Sequence, residues 1–143
     1  MKTTITACLM ALALGACAIT PPNQQRTADN LVPPGRVYIQ EMTKQVAGLA
    51  EVQFTRESMF FNNSWPVELA LNDVVLAQIL PGEHLSIWLK PGTSYTFSIK
   101  PMQALTIPSY EQSRSLTLEL NRAAQYKVHI GSDIKGLLLQ LEQ

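Results

Sequence analysis

The side chains able to do chemistry in this sequence are few: Cys8 and Cys17, His84 and His129, and serines and carboxylates with no local clustering. Cys17 has the most informative setting. It follows a positive start at Lys2, an apolar run from Ile5 to Leu14 and the small residues Gly15 and Ala16, the three parts of an export leader. The run is shorter than the roughly 20 apolar residues that cross a bilayer, and it ends before Pro21-Pro22. Neither histidine sits in a metal-binding spacing such as His-x-x-x-His. His84 shares a strand phase with Ser86 and Trp88, and His129 one with Lys127, so both are expected on solvated strand faces. No serine has the Gly-x-Ser-x-Gly setting that exposes a nucleophile on a strained turn. Asp73 and Asp133 fall in expected turns, where such side chains cap backbone groups. No catalytic residue, metal ligand or cofactor site is expected, and the chain is not expected to be an enzyme.

The run Leu14-Gly15-Ala16-Cys17 resembles a bacterial lipobox. That resemblance implies a lipoprotein in which the Cys17 thiol takes diacylglycerol and becomes the first mature residue, with residues 1–16 removed as the signal peptide. Ordinary secretory cleavage after Gly15, with Ala13 upstream, is the competing reading. One acyl chain gives marginal membrane binding, while two or more, at roughly 0.8 kcal/mol per buried CH₂, hold permanently. An aspartate after the cysteine commonly retains such proteins in the inner membrane. Ala18 stands there instead, so the resemblance implies an outer-membrane lipoprotein with its domain facing the periplasm.

Loss of Cys8 with the leader and consumption of Cys17 would leave the mature domain without a thiol, excluding disulfides and cysteine-based zinc sites. The whole chain has 11 basic and 11 acidic residues. This balance, with no basic run, gives no reason to expect nucleic acid. Residues 18–35 carry Pro21, Pro22, Pro33, Pro34 and several amides, the composition of an extended tether. The remaining stretch, 36–143, is about the length of one domain with its own core.

From Arg36 onward the apolar period is two. Leu85, Ile87 and Leu89 alternate with Ser86, Trp88 and Lys90, and Tyr95, Phe97 and Ile99 with Thr96, Ser98 and Lys100, across a Pro91-Gly92-Thr93 turn. Leu116, Leu118 and Leu120 form another such run, then Tyr126, Val128 and Ile130, with Gly131-Ser132-Asp133 expected to break the chain before a last strand at 136–142. Val37-Tyr38-Ile39 and Val52-Gln53-Phe54 are shorter candidates. Val67 to Leu71 and Val74 to Ile79 flank Asn72-Asp73 as a hairpin. Residues 41–50 are the best candidate for a helix, though they contain Gly48 and lack a cap. Eight or nine short strands predict an all-β fold, a single antiparallel β-sandwich of immunoglobulin-like type.

The order Arg36-Val37-Tyr38-Ile39, the Asn72-Asp73 turn, Leu80-Pro81-Gly82, and Leu89-Lys90-Pro91-Gly92 before Tyr95-Thr96-Phe97 resembles small bacterial envelope lipoproteins with a PEGA-like sandwich. The resemblance covers residues 36–130 and implies a binding or structural module. Asp73 departs from it, since a glycine often follows the asparagine there.

One segment has a residue basis for binding. Met59-Phe60-Phe61-Asn62-Asn63-Ser64-Trp65-Pro66 sets large apolar groups in a loop, and Trp88 falls on the polar phase of its strand. Phe60, Phe61, Trp65 and Trp88 are therefore the candidate binding residues, against the plainer reading that the phenylalanines plug one end of the sandwich and a loop covers Trp88. The functional expectation is a non-catalytic envelope lipoprotein that is anchored in the membrane by lipid. It would bind an envelope protein through a sheet edge or the aromatic loop, with a secretion or envelope-assembly complex as the expected setting. The alternative is a binder of a small ligand such as a glycan fragment or lipid.

Overall fold

The computed structural model describes residues 29–58, 65–102, 113–133 and 136–142. Among these the chain is all β: β1 (Ala50–Arg56), β2 (Val67–Leu71), β3 (Val74–Ile79), β4 (His84–Leu89), β5 (Thr93–Pro101), β6 (Arg114–Leu120), β7 (Gln125–Asp133) and β8 (Gly136–Leu141). They form two four-stranded sheets, ordered β4-β1-β7-β8 and β3-β2-β5-β6. All pairs are antiparallel except β1 with β7, which run parallel, so the expected antiparallel sandwich carries one parallel pair.

Period-two alternation builds the core. Val52 and Phe54 of β1, Leu85, Ile87 and Leu89 of β4, and Val128 and Ile130 of β7 turn inward from the first sheet; Leu69, Phe97, Ile99 and Leu120 meet them from the second. The Phe54 and Phe97 rings touch edge to face, centroids 5.0 Å apart, a geometry favoured by the ring quadrupoles.

The turns follow their residues. Asn72 and Asp73 join β2 to β3 with both φ angles positive, at 46° and 66°, as a two-residue hairpin of the twist-matching kind requires. Asn72 also ties the turn to β5, the neighbour of β2: its side-chain oxygen accepts the Thr96 N–H at 3.0 Å. Gly82 and Gly92 adopt φ of 79° and 81°, following Pro81 and Pro91 as in type II turns.

Several local expectations fail for identifiable reasons. Residues 41–50 form no α-helix: only Gln40–Thr43 close a 3₁₀ turn, Gly48 is left-handed at φ 83°, and Ala50 is drawn into β1 opposite Leu89. Val37-Tyr38-Ile39 is not a strand but makes a single bridge, Val37 to Ala77. Gly131-Ser132-Asp133 does not break the chain, since β7 continues to Asp133 opposite Gly136. A side chain at 131 would have to displace the ends of the His129 and Glu57 side chains, which lie within 3 Å of where its Cβ would sit.

The expected tether also ends earlier than Gly35. Leu31 bridges His84 in parallel, Val32 is buried, and Pro34–Arg36 form a 3₁₀ turn with proline at its start. The segment from Asn30 to Tyr38 is a strap lying along the β4 and β3 edges. Its backbone pairs with both strands: Val32 N–H to the His84 carbonyl (3.0 Å), His84 N–H to the Asn30 carbonyl (2.9 Å) and Tyr38 N–H to the Leu76 carbonyl (2.8 Å). Leu76 is the extra residue of a β-bulge, where the β2–β3 register shifts between Leu69 and Ala70. Such a bulge leaves one residue outside the ladder, and Tyr38 uses its carbonyl.

Candidate functional site

Three clusters of polar or aromatic side chains sit on these elements. The first is a buried ion pair in the strap. Arg36, 2% exposed, reaches Glu83, which is wholly buried: Nη1 donates to Oε2 at 2.8 Å and Nη2 donates to Oε1. Glu83 Oε2 also accepts the Leu80 N–H at 2.8 Å, and Arg36 Nη1 donates to the Gln78 carbonyl at 3.2 Å. Around the same turn, Arg56 N–H donates to the Glu83 carbonyl and Gly82 N–H to the Arg56 carbonyl, both 2.9 Å. Buried Arg56 donates through Nη1 to the Ile79 carbonyl. Each charge meets a partner or a backbone dipole, which a buried charge requires. The cluster is a clamp fixing the strap to the β3–β4 turn, and no exposed reactive atom belongs to it.

The second lies on the outer face of the first sheet. Register aligns His84, Thr55 and His129 across β4, β1 and β7, so the two histidines flank Thr55 at about twice the strand spacing, roughly 10 Å. His129 approaches Glu57 (Nε2 to Oε2, 3.6 Å) and more distantly Glu142 (Nδ1 to Oε1, 4.0 Å). Among the described residues no group of three histidine, cysteine or acidic side chains could hold a metal ion. Two positions along the same face of β1, Glu51 accepts from Ser86 Oγ at 2.7 Å and from Gln125 Nε2 at 3.0 Å. These bonds consume the carboxylate in holding three strands together.

The third is a half-open groove of about 410 Å³ between the strap and β4, walled by Leu31, Val32, Pro34, Val37 and Trp88, with Gln40, Thr43, His84 and Ser86 at its margins. Among the described residues no carboxylate, lysine or arginine lines it. Its size falls within the range of small-ligand sites, about 300–1,000 Å³. A smaller recess of about 220 Å³ on the outer face of the second sheet is polar instead, lined by Glu68, Lys100, Ser98 and Ser113 among others. There Lys100 pairs with Glu68 at 2.8 Å.

The aromatic candidates separate on this frame. Trp65 is exposed, at 38%, just before β2 of the second sheet. Trp88 is half-buried on the outer face of β4 in the first sheet, inside the groove. The structure therefore does not join the two tryptophans into one patch. Phe60, Phe61 and Cys17 lie outside the described residues. The covering of Trp88 comes from the strap and the turn at Gln40–Thr43, elements whose composition suggests a tether and a helix. Sequence reasoning missed both the groove and the Arg36–Glu83 clamp. The one signal for the clamp was a glutamate directly after Pro81-Gly82, within an otherwise apolar stretch.

Compared with known proteins, the chain matches no family model and no curated protein.

Proposed function

We propose that the protein is a bacterial envelope lipoprotein, anchored through Cys17, whose sandwich is a non-catalytic protein-binding or structural module of a secretion or envelope-assembly complex. The lipobox and Ala18 support an outer-membrane anchor with the domain in the periplasm, and the PEGA-like order of strands and turns supports a binding module. The observation that carries the recognition role is the asymmetry of the sandwich edges. The strap occupies the edges of β3 and β4. On the opposite side the sheets end in β6 and β8. There, among the described residues, Arg114 Nε donates to the Leu137 carbonyl at 3.0 Å across the gap, and no further strand is paired. An open edge accepts a partner's strand through main-chain hydrogen bonds.

Photo-crosslinking amino acids placed in living cells at Thr117 of β6 and Gln140 of β8, both exposed, test this. One defined envelope protein should be captured from these sites and not from Tyr38, which is exposed in the strap. Capture of the same proteins from all three would argue against edge recognition. In parallel, Cys17→Ser should move the protein from the detergent to the aqueous phase, and unchanged partitioning would remove the anchor. The second reading, a small apolar ligand, is favoured by the groove beside Trp88.

A further inference from the structure

We propose that the groove beneath the strap shelters an acyl chain of the protein's own anchor, the one attached at Cys17; this rests on the lipoprotein reading above. Three observations point to that occupant. The groove is walled by Leu31, Val32, Pro34, Val37 and Trp88, with its polar residues Gln40, Thr43, His84 and Ser86 at the margins, and among the described residues it carries no carboxylate, lysine or arginine, so its walls suit hydrocarbon. Its volume of about 410 Å³ compares with roughly 30 Å³ for a water in the liquid, a share close to that of one methylene, so a stretch of about a dozen methylenes fits.

The third observation is where the chain enters. Leu31 and Val32, near the first described residue Asp29, themselves form one wall of the groove. The polypeptide arriving from Cys17 thus reaches the domain at the groove's margin. At about 3.5 Å per residue the stretch from Cys17 to Leu31 spans at most roughly 50 Å, so the anchor can fold back onto its own domain. A ligand tethered by so short a segment is presented at an effective concentration near millimolar, an advantage that no free lipid of the same chemistry has. Sheltering one chain would remove part of the anchor's hydrocarbon from water when the protein is away from a bilayer, and it would draw the strap side of the sandwich toward the membrane. The β6 and β8 edges would then face away.

The test uses the full-length protein purified from cells fed a dibrominated fatty acid, since bromine quenches indole emission only on contact. The chain has two tryptophans, so a Trp65→Phe background leaves Trp88 as the reporter. Mass spectrometry first establishes the brominated acyl groups on Cys17. In dilute, lipid-free buffer Trp88 should then lose more than half of its emission relative to protein carrying unbrominated chains, independently of protein concentration. Thr43→Phe, which places a ring in the groove mouth, should restore most of that emission while leaving the melting temperature nearly unchanged. Acylated Cys17 with Trp88 unquenched, or quenching that grows with protein concentration, would overturn the groove proposal and leave the lipoprotein reading standing. An unacylated Cys17 would remove both.

Discussion

Arg36 and Glu83 carry the most consequential single contacts among the described residues. Both side chains are withdrawn from water, and such a pair is weak evidence for net stability, because desolvation opposes the attraction. Its effect is on which structure forms: an unpartnered Glu83 would be a charge buried within a tight turn, so the chain orders the strap whenever the turn forms. Arg36→Met should therefore destabilise the domain by about 3–5 kcal/mol, the cost of leaving one buried charge alone. Arg36→Met combined with Glu83→Leu should recover much of that loss, leaving mainly the Leu80 N–H without its acceptor, at about 1–3 kcal/mol. Urea unfolding of the two single variants and the double variant measures this coupling. Additive losses would mean the two side chains act independently and the clamp has no role.

At the scale of elements, the strands with clear alternation were legible and those set by distant partners were not. Leu85-Ser86-Ile87-Trp88-Leu89 alternates in sequence and in burial, because one face of β4 meets the core and local period is enough to show it. Phe97→Asp would place an uncompensated charge at a position with no exposed surface and should abolish cooperative folding; an unchanged thermal transition would mean the strand phase had been inverted. The Asn72-Asp73 turn was equally legible. Asp73→Gly should stabilise the hairpin by roughly 0.5 kcal/mol, because glycine relieves the left-handed φ but adds entropy to the unfolded chain, and the urea midpoint reports it. Residues 31–43 escape a local reading because their conformation is imposed from outside. Tyr38 is held by the bulge at Leu76, and Leu31 is held by the β4 edge. Neither partner leaves a periodic trace in the strap. The groove was invisible for the same reason: its walls come from segments more than forty positions apart in sequence. The binding candidates fared similarly, since Trp65 and Trp88 were linked only by residue type and the two sheets hold them apart.

For the whole molecule, the strap covers the β3 and β4 edges while, among the described residues, no strand is paired beyond β6 and β8, and this sets where the described sandwich begins. A boundary at Arg36, drawn from composition, would remove Asn30 to Gly35 and with them buried Val32 and two backbone hydrogen bonds to β4. Burying a valine contributes about 1.5–3 kcal/mol at most, and each such hydrogen bond about 0.5–1.5 kcal/mol. A chain starting at Arg36 should thus be less stable than one starting at Asp29 by about 2.5–6 kcal/mol, with both retaining the β-rich far-ultraviolet spectrum. The shorter chain would also present the β4 edge with no strand beside it, a template for pairing with another copy. Its loss of stability should therefore come with concentration-dependent association, read by sedimentation, that the longer chain does not show. Equal unfolding midpoints for the two chains, with the shorter one monomeric throughout, would show that the strap lies on the sandwich without closing it.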